Sequence, residues 1–251
     1  MTYRIQATQT TPALIIYLLD ISGSMNLECH GQRRLDLVMQ ALQAAIRQMV
    51  FRSTKGTRMS PRYRVAMLAY SDEVYDLLGG VKRIDELIHM GGIPAVTPMK
   101  FTNTALAFEQ AEKILKTEWP QLQQCPAPLI CHLTDGSHTG EDPEPIAKRI
   151  MDMQLADGNV LISNIYISES MTVRSPIDVK RWTGVLPTET FDEETADKLK
   201  RMSSVIPESY RDMMLESSYS IGSGALMLFP GNSPELISLG FQMSAATPVR
   251  I

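Results

Sequence analysis

The stretch Ala13-Leu-Ile-Ile-Tyr-Leu-Leu-Asp20 decides the fold, because an unbroken apolar run ends in a carboxylate and continues into the turn Ile21-Ser-Gly-Ser-Met25. A continuous apolar run of this length is typical of a strand covered on both faces, as in a parallel sheet. It is far too short to cross a membrane, which takes about 20 residues in a helix. We therefore expect Ala13–Leu19 to be a central strand with polar groups at its end.

Further along the chain, short apolar runs alternate with longer stretches of helical spacing. Tyr63–Tyr70 predicts a second strand, and Glu73–Leu78 follows so closely that it must be antiparallel, because a parallel crossover needs a dozen or more residues. We expect further strands at Pro128–Leu133, Asn159–Ile167 and Ala225–Phe229, and helices at Arg33–Arg52, Asn103–Glu118, Glu144–Leu155, Glu193–Met202, Glu208–Ser217 and Pro234–Ala245. This alternation predicts an α/β fold with a central, mostly parallel six-stranded sheet, one antiparallel edge strand and helices on both faces.

The composition is that of an ordinary globular protein, since 44% of the 251 residues are hydrophobic and 21% are charged. The net charge of −4 does not suggest nucleic-acid binding, which typically needs a basic domain. The cysteines, Cys29, Cys125 and Cys131, are too few and odd in number for a disulfide framework. No charged segment followed by an apolar stretch opens the chain. We expect a reduced cytoplasmic protein that binds neither nucleic acid nor membrane.

In such sheets, ligands bind beyond the carboxyl ends of the strands. This sequence has polar side chains at those positions. Asp20, Ser22 and Ser24 lie at the end of the first strand, Asp135 lies after a later strand, and Thr102 lies in a loop between them in sequence. All five are hard oxygen donors, which suit Mg²⁺ or Mn²⁺ better than a thiolate-seeking metal. Neutral hydroxyl ligands leave the charge of a divalent ion poorly compensated, so an incoming carboxylate is attracted to an open position.

The pattern Asp-x-Ser-x-Ser, then Thr, then Asp resembles the metal-ion-dependent adhesion site of the von Willebrand factor A domain family. The order of predicted strands and helices over residues 12–246 is similar to that family as well. The resemblance implies a Rossmann-like fold and a Mg²⁺ ion, with Mn²⁺ as a substitute. It implies that Ser22, Ser24 and Thr102 ligate the ion directly, and that Asp20 and Asp135 act through water.

The same resemblance implies a protein partner, because in this family a Glu or Asp side chain from another protein completes the coordination of the metal. Met25, Asn103 and His138 lie close to the ligating positions in sequence, and we expect them to line the rim of the site. The stretch Gly224–Thr247 looks like intracellular bacterial members, some of them encoded beside Ser/Thr kinases and protein phosphatases. The implied function is non-catalytic, metal-dependent protein binding in an intracellular signalling or stress/defence complex.

Two other functions use the same residues. A metal-assisted phosphate-ester hydrolase could use Asp20 as a nucleophile, although Ser22 occupies the place of the second Asp expected of such an enzyme. An adaptor for an AAA-type ATPase differs from the binding module only in its partner. Zinc held by Cys29-His30 and Cys131-His132 is disfavoured, because neighbouring residues in a strand face opposite sides of the sheet.

We expect one domain over residues 1–251 with an insertion at about 170–192. Within it, Ser170–Thr190 has no clear period and carries two prolines. Such a composition predicts a surface excursion rather than part of the core.

Overall fold

The computed structural model describes residues 3–29, 31–136, 138–168, 178–231 and 233–246. Over these residues the central sheet has seven strands in the order β7-β6-β5-β1-β2-β3, and β4 pairs with β2 at the same edge as β3. The strands are β1 (Ala13–Asp20), β2 (Tyr63–Tyr70), β3 (Val74–Asp76), β4 (Lys82–Arg83), β5 (Leu129–Thr134), β6 (Leu161–Tyr166) and β7 (Leu228–Pro230).

The long strands run parallel, and the antiparallel pairing is confined to one edge. β1 lies between β2 and β5, with Asp20 opposite Tyr70 and Leu19 opposite Leu133. β3 and β4 both run antiparallel to β2. The predicted fold class is therefore confirmed. The sheet has one strand more than the six predicted, Lys82–Arg83 at the antiparallel edge, which is too short to be recognised from a sequence pattern.

Helices cover both faces of the sheet. They are α1 (Arg34–Arg52), α2 (Ile84–His89), α3 (Thr104–Leu122), α4 (Glu144–Met151), α5 (Glu194–Arg201), α6 (Glu208–Glu216) and α7 (Pro234–Ser244). Alternate residues of β1 belong to two clusters, one with Ile15 and Tyr17 beneath α1 and α7, the other with Ile16 and Leu18 beneath α3 and α4. All eight residues of β1 are buried, as expected of a strand covered on both sides.

Two helices end four residues away from the predicted position, and one helix was not predicted. Helix α3 continues through Pro120 to Leu122, because a proline in the last turn removes only one helical hydrogen bond. Helix α4 ends at Met151 rather than Leu155, which is buried but lies in a turn closed by a hydrogen bond from its N–H to the Gly158 carbonyl. Helix α2 was not predicted because it has only six residues.

The expected insertion at about 170–192 is only partly described, since residues 170–177 lie outside the described residues. The remainder is not a simple surface excursion. Trp182 and Val185 are buried, the Trp182 ring packs 5.5 Å from that of Phe229, and Val185 pairs with Leu226 in an isolated bridge. The prediction failed here because two isolated apolar residues contribute to the core without forming any periodic element.

Two small antiparallel hairpins flank α1. One pairs Glu28–Cys29 with Gln32–Arg33, and the other pairs Thr54–Lys55 with Arg58–Met59. In the part of the chain that the structure describes, no helix is both long enough and apolar enough to cross a membrane.

Candidate metal centre

Asp20 lies at the carboxyl end of β1, fully buried and held on both carboxylate oxygens. Its Oδ1 accepts the Ser22 backbone N–H at 2.8 Å, and its Oδ2 accepts the Thr134 hydroxyl at 2.7 Å. Burial raises the pKa of Asp20 to about 6, against the opposing effect of these hydrogen bonds. Ionisation of Asp20 therefore carries a desolvation cost that a bound cation would offset.

A line of hydroxyls connects the end of β1 to Asp135. The chain leaves β1 into a 3₁₀ turn at Gly23–Asn26, which brings the Ser22 and Ser24 hydroxyl oxygens to 3.0 Å from each other. The Ser24 hydroxyl donates to Asp135 Oδ1 at 2.6 Å. Asp135 follows β5 directly, and its side chain has no exposed surface.

Thr102 is held at the same edge by backbone hydrogen bonds from its loop. The Met99 N–H donates to the Ile21 carbonyl at 2.6 Å, and the Asn103 N–H donates to the Ser71 carbonyl at 2.6 Å. The Thr102 carbonyl accepts the Thr139 N–H at 2.7 Å. These bonds fix the loop against the ends of β1 and β2 and against the loop after β5, with Thr102 itself buried.

Gly23 explains why this loop can approach so closely. A Cβ atom added at Gly23 would lie 3.1 Å from the Met99 carbonyl oxygen, which is tighter than ordinary van der Waals contact. The glycine of the Ser-Gly-Ser turn thus leaves room for the loop that carries Thr102.

Arg34 is a residue of this site that the sequence interpretation missed. Two adjacent arginines at a helix start are typical of a solvated helix end, and Arg33 fits that description, being exposed and paired with Asp36. Arg34 instead donates from Nη1 to Asp135 Oδ2 at 2.9 Å, with only 13% of its side chain exposed. The contact joins residues 101 positions apart, so no local pattern could have revealed it.

The expected rim residues have different environments. Met25 is fully buried in the core beneath α1, so the expectation that it lines the rim is wrong: the 3₁₀ turn directs it inward. Asn103 is half-buried and caps α3, accepting the Leu106 N–H at 3.2 Å. His138 is half-buried, and burial followed by the charge of Lys198 lowers its pKa.

Apolar side chains are exposed near the proposed ligands. Leu27 is 55% exposed, Met99 is 41% exposed and Phe101 is 57% exposed. Each lies within three residues of Ser24 or Thr102 in sequence. We call these three residues the apolar rim; their proximity to the motif is a signal that the sequence interpretation did not use.

A buried polar chain crosses the sheet close to the site. His132 on β5 has Tyr70 Oη at 2.7 Å from Nε2 and Asn164 Oδ1 at 2.7 Å from Nδ1. The Asn164 side-chain amide donates to the Ser203 hydroxyl at 2.8 Å. Burial lowers the pKa of His132 to about 4, so the ring is neutral at physiological pH.

The donors at this edge fit a hard divalent cation. They comprise two carboxylates and the hydroxyls of Ser22, Ser24 and Thr102, all oxygen. Among the described residues, this edge included, no group of three His, Cys, Asp or Glu side chains is placed to hold a metal, so an ion here would depend on hydroxyl oxygens as well. An oxygen-only set with few charges suits Mg²⁺ or Mn²⁺, which keep several waters in their coordination shell.

Residues 15–138 match the family model of the von Willebrand factor type A domain. The match and the fold support a von Willebrand factor type A domain. The matched segment includes the five residues of the expected metal site, Asp20, Ser22, Ser24, Thr102 and Asp135. No curated protein matches the sequence.

Solved structures show the same domain fold at low sequence identity. The pilus adhesin SpaC from Lactobacillus rhamnosus GG has a TM-score of 0.61 and 10% identity, covering 94% of this chain and 30% of that one. Proximal thread matrix protein 1 from the mussel byssus has a TM-score of 0.55 and 15% identity, covering 96% and 46%. The SpRpn10 VWA domain has a TM-score of 0.51 and 15% identity, covering 91% and 93%. The chain thus spans less than half of the adhesin and of the mussel protein.

Proposed function

We propose that this von Willebrand factor A domain is a metal-dependent protein-binding module rather than an enzyme. Ser22, Ser24 and Thr102 would hold Mg²⁺, or Mn²⁺, through their hydroxyls. Asp20 and Asp135 would supply negative charge through water. The ion supplies an electrophilic position that accepts a Glu or Asp side chain of the partner.

One observation carries this proposal: the hydrogen-bonded line from Asp20 through Ser22 and Ser24 to Asp135. It aligns neutral oxygen donors between two buried carboxylates at one edge of the sheet. The same line disfavours a hydrolase, because each carboxylate oxygen of Asp20 already accepts a hydrogen bond from Ser22 or Thr134, which makes it a poor nucleophile.

The surface around the site favours a protein as the partner. The apolar rim exposes large side chains beside a site that attracts a carboxylate. Exposed apolar groups next to a polar anchor are typical of protein interfaces. We therefore propose a partner segment in which an acidic residue is flanked by apolar side chains.

The partner belongs, in this proposal, to an intracellular bacterial complex built around a Ser/Thr kinase, a protein phosphatase or an AAA-type ATPase. This part rests only on the resemblance of Gly224–Thr247 to intracellular bacterial members of the family.

The test is affinity capture from the native host with Mg²⁺ or EDTA, followed by mass spectrometry, using wild type, Asp20→Ala and Ser24→Ala. Asp36→Ala is the matched control, since it removes an exposed carboxylate that lies on α1, outside the proposed site. We expect a partner that is captured by wild type and Asp36→Ala in Mg²⁺ and lost in EDTA and in Asp20→Ala. Retention of the same partner by folded Asp20→Ala and by wild type in EDTA contradicts the proposal. Mg²⁺-dependent phosphatase turnover that Asp20→Asn abolishes would establish the hydrolase instead.

A further inference from the structure

We propose that Arg34 is a built-in counter-cation of the metal site, which weakens metal binding alone and makes it depend on the partner's carboxylate. This inference rests on the proposed metal site and assigns it a residue outside the Asp-x-Ser-x-Ser, Thr, Asp motif. Arg34 acts through Asp135, so it is a positioning residue rather than a ligand.

The contacts of Arg34 direct its charge at the site. As the first residue of α1 it donates its backbone N–H to the Leu27 carbonyl at 3.0 Å, which anchors its main chain beside the turn that carries Ser24. Its guanidinium pairs with Asp135 at 2.9 Å, the only salt bridge of Arg34 among the described residues. Its Nε is buried without a hydrogen-bond partner. Asp135 is therefore the one carboxylate among the described residues that pairs directly with Arg34.

The two carboxylate oxygens of Asp135 accept hydrogen bonds from two different neighbours. Oδ1 accepts the Ser24 hydroxyl, and Oδ2 accepts Arg34 Nη1. A divalent ion that draws on the charge of Asp135 must share it with the guanidinium. Because the Asp135 side chain has no exposed surface, solvent screens this competition little.

The charge balance shows why the partner matters. With Asp20 and Asp135 ionised, Arg34 brings the formal charge of the site to −1, and a divalent ion then brings it to +1. A carboxylate from the partner restores neutrality. Without Arg34 the loaded site is already neutral, and an added carboxylate makes it −1. Arg34 thus weakens the attraction of the site for the metal ion alone and strengthens the attraction of the loaded site for the acidic ligand.

The experiment measures metal affinity by titration calorimetry with MgCl₂ and MnCl₂ at pH 7.5 for wild type, Arg34→Gln and Arg33→Gln. Arg33→Gln is the matched control, because it removes the same charge from the adjacent, exposed residue. Acetate at constant ionic strength serves as the carboxylate probe. We expect Arg34→Gln to bind the metal about tenfold more tightly than wild type without acetate, from the loss of one nearby cation, and Arg33→Gln to match wild type. Acetate should tighten metal binding to wild type more than to Arg34→Gln.

Thermal unfolding separates this role from a purely structural one. In EDTA, Arg34→Gln should melt below wild type, because Asp135 loses its buried partner. With saturating Mg²⁺, the gain in Tm should be larger for Arg34→Gln than for wild type. A purely structural role lowers Tm in both buffers and leaves the metal Kd unchanged.

The outcomes distinguish this inference from the proposed function. If wild type binds the metal and Arg34→Gln binds it no more tightly, or if acetate acts equally on both, the role of Arg34 is refuted and the metal site stands. If Arg34→Gln binds metal and wild type does not, Arg34 excludes the ion, which supports the inference. If neither binds, both proposals fail.

Discussion

Tyr70 and His132 lie on the two strands that flank β1, and the tyrosine hydroxyl comes within 2.7 Å of the histidine Nε2 across that strand. Both side chains are fully buried, and their rings are stacked 5.8 Å apart. Asn164 Oδ1 lies 2.7 Å from the other ring nitrogen of His132. Because the ring is buried and both nitrogens have a polar neighbour, protonation of His132 has to occur without contact with solvent. This buried imidazole gives the protein a defined acid sensitivity.

We predict that His132 destabilises the protein in acid. Its pKa of about 4 in the fold lies below the ordinary value of 6.5, so the unfolded chain binds more protons between these values and stability falls as the pH drops through them. The loss by pH 4 is on the order of 3 kcal/mol. Asp20 acts in the opposite sense over nearly the same window, because its pKa is raised to about 6.

The measurement therefore uses an Asp20→Asn background in EDTA, with urea unfolding from pH 4 to 7.5. Adding His132→Gln should flatten the rise of stability with pH. Equal slopes for Asp20→Asn and Asp20→Asn/His132→Gln would show that His132 does not titrate as described.

We predict that the two motif aspartates have opposite effects on the metal-free fold. Asp20→Asn should stabilise the protein in EDTA at pH 7.5 by about 1–3 kcal/mol, because the cost of an ionised, desolvated carboxylate disappears. Asp135→Asn should destabilise it by about 1–3 kcal/mol, because Arg34 loses its partner. Both variants should lose metal affinity. Urea unfolding in EDTA measures both changes in unfolding free energy. A change of the same sign in Asp20→Asn and Asp135→Asn would contradict this prediction.

The sequence was most informative where burial is continuous. The apolar runs of β1, β2 and β5 predicted the central strands, and four of the five motif residues, Asp20, Ser22, Ser24 and Asp135, lie at or just after the ends of β1 and β5. Arg34 was missed and Met25 was wrongly placed at the rim for a shared reason, since the direction of a side chain after a turn depends on contacts distant in sequence. Leu155 was assigned to a helix because its burial continues the apolar period of α4 even though the backbone has already turned.

Gly23→Ala should weaken metal binding more than it weakens the fold. The new Cβ would meet the Met99 carbonyl at 3.1 Å, and Met99 cannot retreat easily because its N–H is bonded to the Ile21 carbonyl. We expect the loop with Thr102 to shift, and the metal Kd to rise severalfold while unfolding free energy changes by about 1 kcal/mol or less. Calorimetry and urea unfolding measure the two quantities. An unchanged Kd would show that the position of Thr102 does not depend on this contact.

Asp157→Ala should destabilise the fold without touching the metal site. Asp157 is buried, with Oδ1 accepting the N–H groups of Arg4 and Ile5 at 2.7 and 2.9 Å and Oδ2 accepting the Ala127 N–H at 3.1 Å. Its loss leaves several backbone donors unpaired, at a cost of about 2–4 kcal/mol. Exposed Asp152→Ala is the control, with a change of about 0.5 kcal/mol or less. A changed metal Kd in folded Asp157→Ala would contradict the separation of the two regions.

The hydrogen bonds of Tyr3 and Ala245 also determine how the protein can be tethered. The Tyr3 N–H bonds the Asp157 carbonyl ahead of β6, and the Ala245 carbonyl accepts the hydroxyl of Tyr63, where β2 begins. Asp20 lies opposite Tyr70, at the other end of β2, a distance of roughly 23 Å at the rise of a strand. A surface or fusion attached near residue 3 or residue 245 therefore leaves the edge with Asp20 turned toward solution, where a bound partner has free access.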